Sequence, residues 1–168
     1  MKRFLWFILF VSVFFSYSYQ TKAQADIHEA EYKIHSIFIY NFTKYIQWPE
    51  EYNKGDFTIG ILGKTNLDSE LLKMATTRTI NGRKITIKKY TETNQIDKKC
   101  HILFISSESS NSLSDVLKKT SGTATLTITN KDGLGKFGSL INFISTNGKY
   151  RFEINITAFE KSKLKFEQ

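Results

Sequence analysis

The run HILFIS, residues 101–106, constrains the fold more than any other stretch. Ile102, Leu103, Phe104 and Ile105 follow one another without a polar residue between them. A strand built from them has no face to give to water, so it must be covered on both sides. A sheet covered on both sides needs helices above and below, and the neighbouring sequence supplies them. FTIGIL (57–62) is another short apolar strand. After the turn at Gly63, Thr65 and Asp68 have capping-box spacing for a helix through Met74 and Ala75. Asn81-Gly82 marks a turn, and KITIKKY (84–90) is the next strand. Ser109 to Asn111 lead into a short helix through Lys118, and TATLTIT (123–129) is a further strand. Strands alternating with helices predict an α/β fold: a layered sheet with mostly parallel strands and helices on its faces.

Both ends of this series depart from the alternation. Upstream, residues 26–47 predict a long helix. Ile34, Phe38, Phe42, Tyr45 and Ile46 recur at helical spacing, and Ile37 and Ile39 widen the apolar arc. Trp48-Pro49 ends it, because proline disfavours helical backbone in the residue before it. Downstream, SLINFIST and KYRFEINI flank Asn147-Gly148. Two β-rich runs joined by Asn-Gly predict a C-terminal β-hairpin, since both turn residues must take positive φ. A last helix is expected near Ala158.

The first residues read as an export signal. Lys2 and Arg3 precede an apolar run from Phe4 to Phe15, and Ala23-Gln24-Ala25 offers small residues at a cleavage site. The run falls short of the ~20 apolar residues that span a bilayer. Residues 1–25 are therefore expected to be a secretory signal peptide and residues 26–168 a single domain in the periplasm, with no stable membrane insertion after cleavage. The mature chain carries 21 basic and 16 acidic residues, a balance of +5, with its lysines scattered. No basic patch marks it for nucleic acid. Cys100 is the only cysteine and reads as a buried small hydrophobe at the start of a strand.

Motifs that suggest catalysis lack the context they need. Gly133, Gly135 and Gly138 spell G-x-G-x-x-G, but the dinucleotide turn must lead into a helix, and here a β-rich run follows. Gly63-Lys64-Thr65 sits between strand and helix like the end of a P-loop, yet Thr58 stands where that motif requires glycine. His28 and His35 share a helical face with Glu31, which reads more readily as a polar helix start than as a metal site. Cys100 and His101 are strand neighbours and point to opposite faces, so they do not form a nucleophile–base pair. No catalytic residue, cofactor site or metal site is assigned. Trp48, with the hairpin aromatics Phe143, Tyr150 and Phe152, forms the candidate partner-binding set, since large aromatics anchor interfaces.

Seven pieces then stand in a recognisable order: NFTKYIQWP (41–49), FTIGILG (57–63), INGRKITIK (80–88), CHILFIS (100–106), TLTIT (125–129), GSLINF (138–143) and RFEIN (151–155). The chain resembles the YfiR family. The resemblance implies a periplasmic α/β protein, often dimeric and without enzymatic activity. It also implies repression of an inner-membrane signalling protein, a diguanylate cyclase or a sensor kinase, through that protein's periplasmic part, and so an influence on cyclic di-GMP. Gly138-Ser139 stands where the family often has Gly-Gly, and Cys100 has no second cysteine for a disulfide. The sequence closes Lys165-Phe166-Glu167-Gln168 where relatives usually continue with a leucine-rich segment, so a surface built from that segment is expected to differ. The competing expectation is a periplasmic small-ligand-binding protein, because open α/β sheets take ligands beyond the C-terminal ends of their strands.

Overall fold

A computed structural model describes residues 29–167; the expected signal peptide, residues 1–25, and His28 lie outside the described residues. In chain order the elements begin with α1 (residues 29–45), β1 (Ile46–Gln47), β2 (Phe57–Leu62), α2 (Leu67–Thr77), β3 (Thr79–Ile80) and β4 (Arg83–Tyr90). They continue with β5 (Ile102–Ile105), α3 (Leu113–Thr120), β6 (Leu126–Thr129), β7 (Ile141–Thr146), β8 (Lys149–Ile154), α4 (Ile156–Glu160) and β9 (Lys165–Phe166). Seven strands make one mixed sheet in the order β3-β4-β2-β5-β6-β7-β8. The pairings β4–β2, β2–β5, β5–β6 and β6–β7 are parallel, and the edge pairings β3–β4 and β7–β8 are antiparallel. This is the expected α/β sheet with its C-terminal hairpin.

Side-chain alternation divides the core between the two faces. Ile59, Ile61, Ile102, Phe104, Leu126, Ile128, Ile141 and Phe143 meet α1 and α2 through Ile39, Phe42, Leu67, Leu71 and Met74. Leu62, Tyr90, Leu103 and Ile105 meet α3 through Leu113 and Val116. All four β5 residues are buried, as the HILFIS run requires. Farther along the α3 side, towards β6 and β7, the buried positions turn polar. Thr129 Oγ1 donates to Asn142 Oδ1 at 2.7 Å, and Thr127 Oγ1 accepts from the Leu140 amide at 3.1 Å, so these buried polar groups satisfy one another.

Several boundaries differ from the sequence reading. α1 stops at residue 45, and Ile46–Gln47 become β1, which pairs antiparallel with β9. The buried stripe of α1 is His35, Ser36, Ile39, Phe42 and Thr43, about one position round from the expected one. Tyr45 and Ile37, counted as core, are 63% and 48% exposed. The capping box before α2 does not form. Asn66 is the N-cap without a side-chain bond, while Thr65 Oγ1 accepts from the Leu67 amide and Asp68 turns to Ser69. β6 starts at Leu126, because the hydroxyls of Thr123 and Thr125 bond to the Thr120 and Cys100 carbonyls. Residues Leu134–Phe137 of the glycine motif form a 3₁₀ turn, flanked by Gly133 at φ 81° and Gly138 at φ 105°. α4 begins at Ile156, two residues ahead of Ala158, because the Asn155 side chain caps it by accepting from the Ala158 amide.

Candidate functional site

Two places were open to function from the sequence: the C-terminal ends of the central strands, and the aromatics around Trp48 and the hairpin. At the first, β2 has neighbours whose crossovers leave in opposite directions, so a crevice is expected between β2 and β5. That spot is filled. The Ser106 amide donates to the Leu62 carbonyl at 3.0 Å, and the chain then turns, with Ser106 Oγ accepting from the Ser109 amide. A Cβ placed on Gly63 would collide with Ser109 Oγ and lie 2.5 Å from Ser106 Oγ. Glycine is present because the serine turn seats against its backbone. An open crevice of about 490 Å³ remains beside it, lined by Lys64, Thr65, Lys89, Thr91 and Glu108 among others.

The neighbouring Cys100 and His101 are both committed to structure. Cys100 is fully buried, its thiol donates to the Ile102 carbonyl at 3.0 Å, and burial pushes its pKa up to about 12. His101 lies on the other face of the sheet. Its Nδ1 accepts from the Thr58 amide at 3.1 Å, which leaves Nε2–H to donate to the Tyr52 carbonyl at 2.8 Å. The ring stacks on Phe57 at 4.3 Å, with Arg83 Nη2 3.0 Å from Nε2. Burial lowers the His101 pKa, and the Arg83 charge adds to that against the Tyr52 bond. Both ring nitrogens are used, so His101 is a strut. Among the described residues, no three His, Cys, Asp or Glu side chains gather as a metal would need.

Of the four candidate aromatics, Trp48 is half-buried. Its Nε1–H donates to the His101 carbonyl at 3.2 Å and its ring meets Phe57 edge-on at 5.1 Å. Phe143 is 2% exposed and sits in the core, because β7 turns it onto α1, where it stacks on His35 at 4.1 Å. It therefore offers no surface in the folded chain. Tyr150 is half-buried, edge-on to the same histidine at 6.1 Å. Phe152 is 39% exposed and meets Phe42 at 4.9 Å and Phe38 at 5.4 Å. Phe143, Tyr150 and Phe152 thus share one seam between α1 and the hairpin, while Trp48 stands apart at the end of β5.

His35 is the unexpected member of this seam. It is buried, its Nδ1 has no hydrogen-bond partner, and desolvation lowers its pKa to about 4. Sequence pattern treats it as a polar helix residue, and no signal in the chain marks it as core. The seam has an apolar rim that the sequence also hid. Tyr45 ends α1, Ile154 follows Phe152 on β8, Ile156 opens α4, and Phe166 lies on β9 stacked on Phe159 at 4.0 Å. Each of the four is at least 36% exposed.

The family model of YfiR/HmsC-like proteins matches residues 32–168, which takes in both strand ends, the seam and its rim. The chain belongs to the YfiR/HmsC-like family. YfiR/HmsC-like proteins are known in general as periplasmic regulators. No curated protein matches the chain. Among the described residues, no helix is long and apolar enough to cross a membrane.

Proposed function

We propose that this YfiR/HmsC-like protein binds and represses the periplasmic part of an inner-membrane signalling protein, either a diguanylate cyclase or a sensor kinase, without catalysis of its own. Membership of a regulatory family carries the reading. The rim supports it: Tyr45, Phe152, Ile154, Ile156 and Phe166 expose apolar side chains on α1, β8, α4 and β9, the last paired with the strand that follows α1. Exposed apolar groups gathered in this way mark interaction surfaces. Repression then follows from unequal affinity, because a ligand shifts its partner only by the difference between its affinities for the two states. Moving a partner from mostly on to mostly off takes roughly a 10,000-fold preference for the off state.

Capture of the tagged mature protein with envelope membranes tests this. An inner-membrane cyclase or kinase should co-purify with wild type and be depleted with Ile156→Asp. That position is exposed and opens α4, where an acidic residue suits the helix N-terminus. Enrichment of no such protein, together with unchanged cyclic di-GMP and kinase output on deletion, overturns the proposal.

A further inference from the structure

α1 lies between the hairpin and α2, and its two sides are used differently. His35, Phe38 and Phe42 face the hairpin aromatics. Lys33, Ile37, Tyr40 and Lys44 recur three and four residues apart on the opposite side of the helix. There an open groove of about 350 Å³ separates α1 from Lys73, Met74 and Arg78 of α2 and its C-cap. Its floor is apolar and its rim is basic. Met74 is buried, while Ile37 is 48% exposed. The Tyr40 ring carries the Arg78 guanidinium at 4.6 Å and the Lys44 ammonium at 5.2 Å, which holds both charges beside the groove. Lys73 is already engaged: Glu70 holds it at 2.6 Å, and Glu29 at the head of α1 adds to the attraction. Among the described residues, Lys33, Lys44 and Arg78 make no salt bridge.

Three cations without carboxylates thus surround an exposed isoleucine and a tyrosine ring. The complement is a segment that turns apolar side chains inward and carboxylates outward. Its backbone form follows from the walls. Both are helices, so an extended segment finds no free backbone edge to pair with. A lipid surface would meet the crests of the two helices and leave the space between them empty. The stripe from Lys33 to Lys44 runs three turns, about 17 Å. An amphipathic helix of that length fills such a groove with anchors at i, i+3 or i+4, and i+7. We propose that the α1–α2 groove is a docking site for an acidic amphipathic helix of a partner protein. Its apolar side chains lie on Ile37, Tyr40 and Met74, and its carboxylates meet Lys33, Lys44 and Arg78. The groove and the rim are on opposite sides of α1, so this site does not depend on what the rim binds.

Photo-crosslinking in intact cells tests it, with p-benzoylphenylalanine in place of Ile37 or, as a second attachment point in the groove, of Asn41. Neither side chain belongs to the buried core, so both variants should accumulate like wild type. The adduct is digested and the captured segment sequenced. An acidic segment of a different protein is expected, with apolar residues three and four apart. The same probe in place of Leu72, exposed on the other side of α2, should not capture it. Lys33→Glu combined with Arg78→Gln should lower the yield about tenfold, whereas Lys33→Arg keeps it. Made as a peptide, the captured segment should bind the purified mature protein, gain helicity on binding and bind more weakly as salt is raised. Capture of phospholipid, of a second copy of this chain, or of a segment without net negative charge overturns the proposal. So does the absence of an adduct at both groove positions, a yield indifferent to the charge changes, or a peptide that binds without becoming helical. A groove that captures nothing leaves the rim reading standing, because Ile156→Asp tests that surface separately.

Discussion

At the residue scale, the strongest commitment is the burial of His35 against Phe143. Its pKa falls from 6.5 to about 4 because burial disfavours the charged ring. The unfolded chain therefore binds a proton between those values that the native state refuses. The stability is fully present above pH 6.5 and is lost as pH falls towards 4. The loss approaches about 3 kcal/mol. Glu31, whose Oε1 lies 4.0 Å from His35 Nε2, would favour the protonated ring and so makes this an upper bound. Urea unfolding across that range should show wild type weakening more than His35→Phe, which keeps the stack without this titration and retains only the loss from other groups such as His101, whose pKa burial also lowers. Cys100 gives a second outcome at this scale. With its thiol buried and its pKa raised to about 12, it should resist thiol reagents in the native state and react only as fast as the chain unfolds. Prompt labelling of folded protein would contradict that.

Elements were legible where one local cause sufficed. Ile102–Ile105 read as a doubly covered strand because nothing polar interrupts them, and all four are buried. Asn147-Gly148 read as a hairpin because both residues must take positive φ, and they do, at 52° and 70°. Nothing lies within 4 Å of a Cβ built on Gly148. Gly148→Ala should then cost only the conformational penalty, about 1 kcal/mol, read as a lower melting temperature with an unchanged denaturant slope. The phase of α1 was not legible, because tertiary contacts set it: His35 counts as polar yet stacks in the core, while Tyr45 counts as apolar yet faces solvent. The candidate site divides in the same way. Tyr150 and Phe152 stood out as hairpin aromatics, but Phe143 looked the same in sequence and is core. Ile156 and Phe166 gave no local sign, since their place depends on β9 returning to β1 across most of the chain.

At the scale of the whole molecule, that return joins the C-terminal segment to the end of α1. Phe166 pairs with Ile46, the Glu167 amide donates to the Tyr45 carbonyl at 2.8 Å, and Leu164 is 4% exposed beneath them. The segment therefore has two roles that substitutions can separate. Leu164→Ala removes a buried side chain and should cost about 2–5 kcal/mol, lowering partner capture only in proportion to the protein that unfolds. Phe166→Ser acts differently. Phe166 is 44% exposed and stacks on one face against Phe159, so stability should fall by only about 1 kcal/mol. It is also part of the proposed rim, and losing an aromatic anchor from an interface centre costs ~2 kcal/mol or more of binding, roughly thirtyfold in affinity. Melting temperature and membrane-partner capture should therefore rank the two variants in opposite orders. If both measurements fall together in both variants, the C-terminal segment serves the fold alone, and the partner surface lies away from β9.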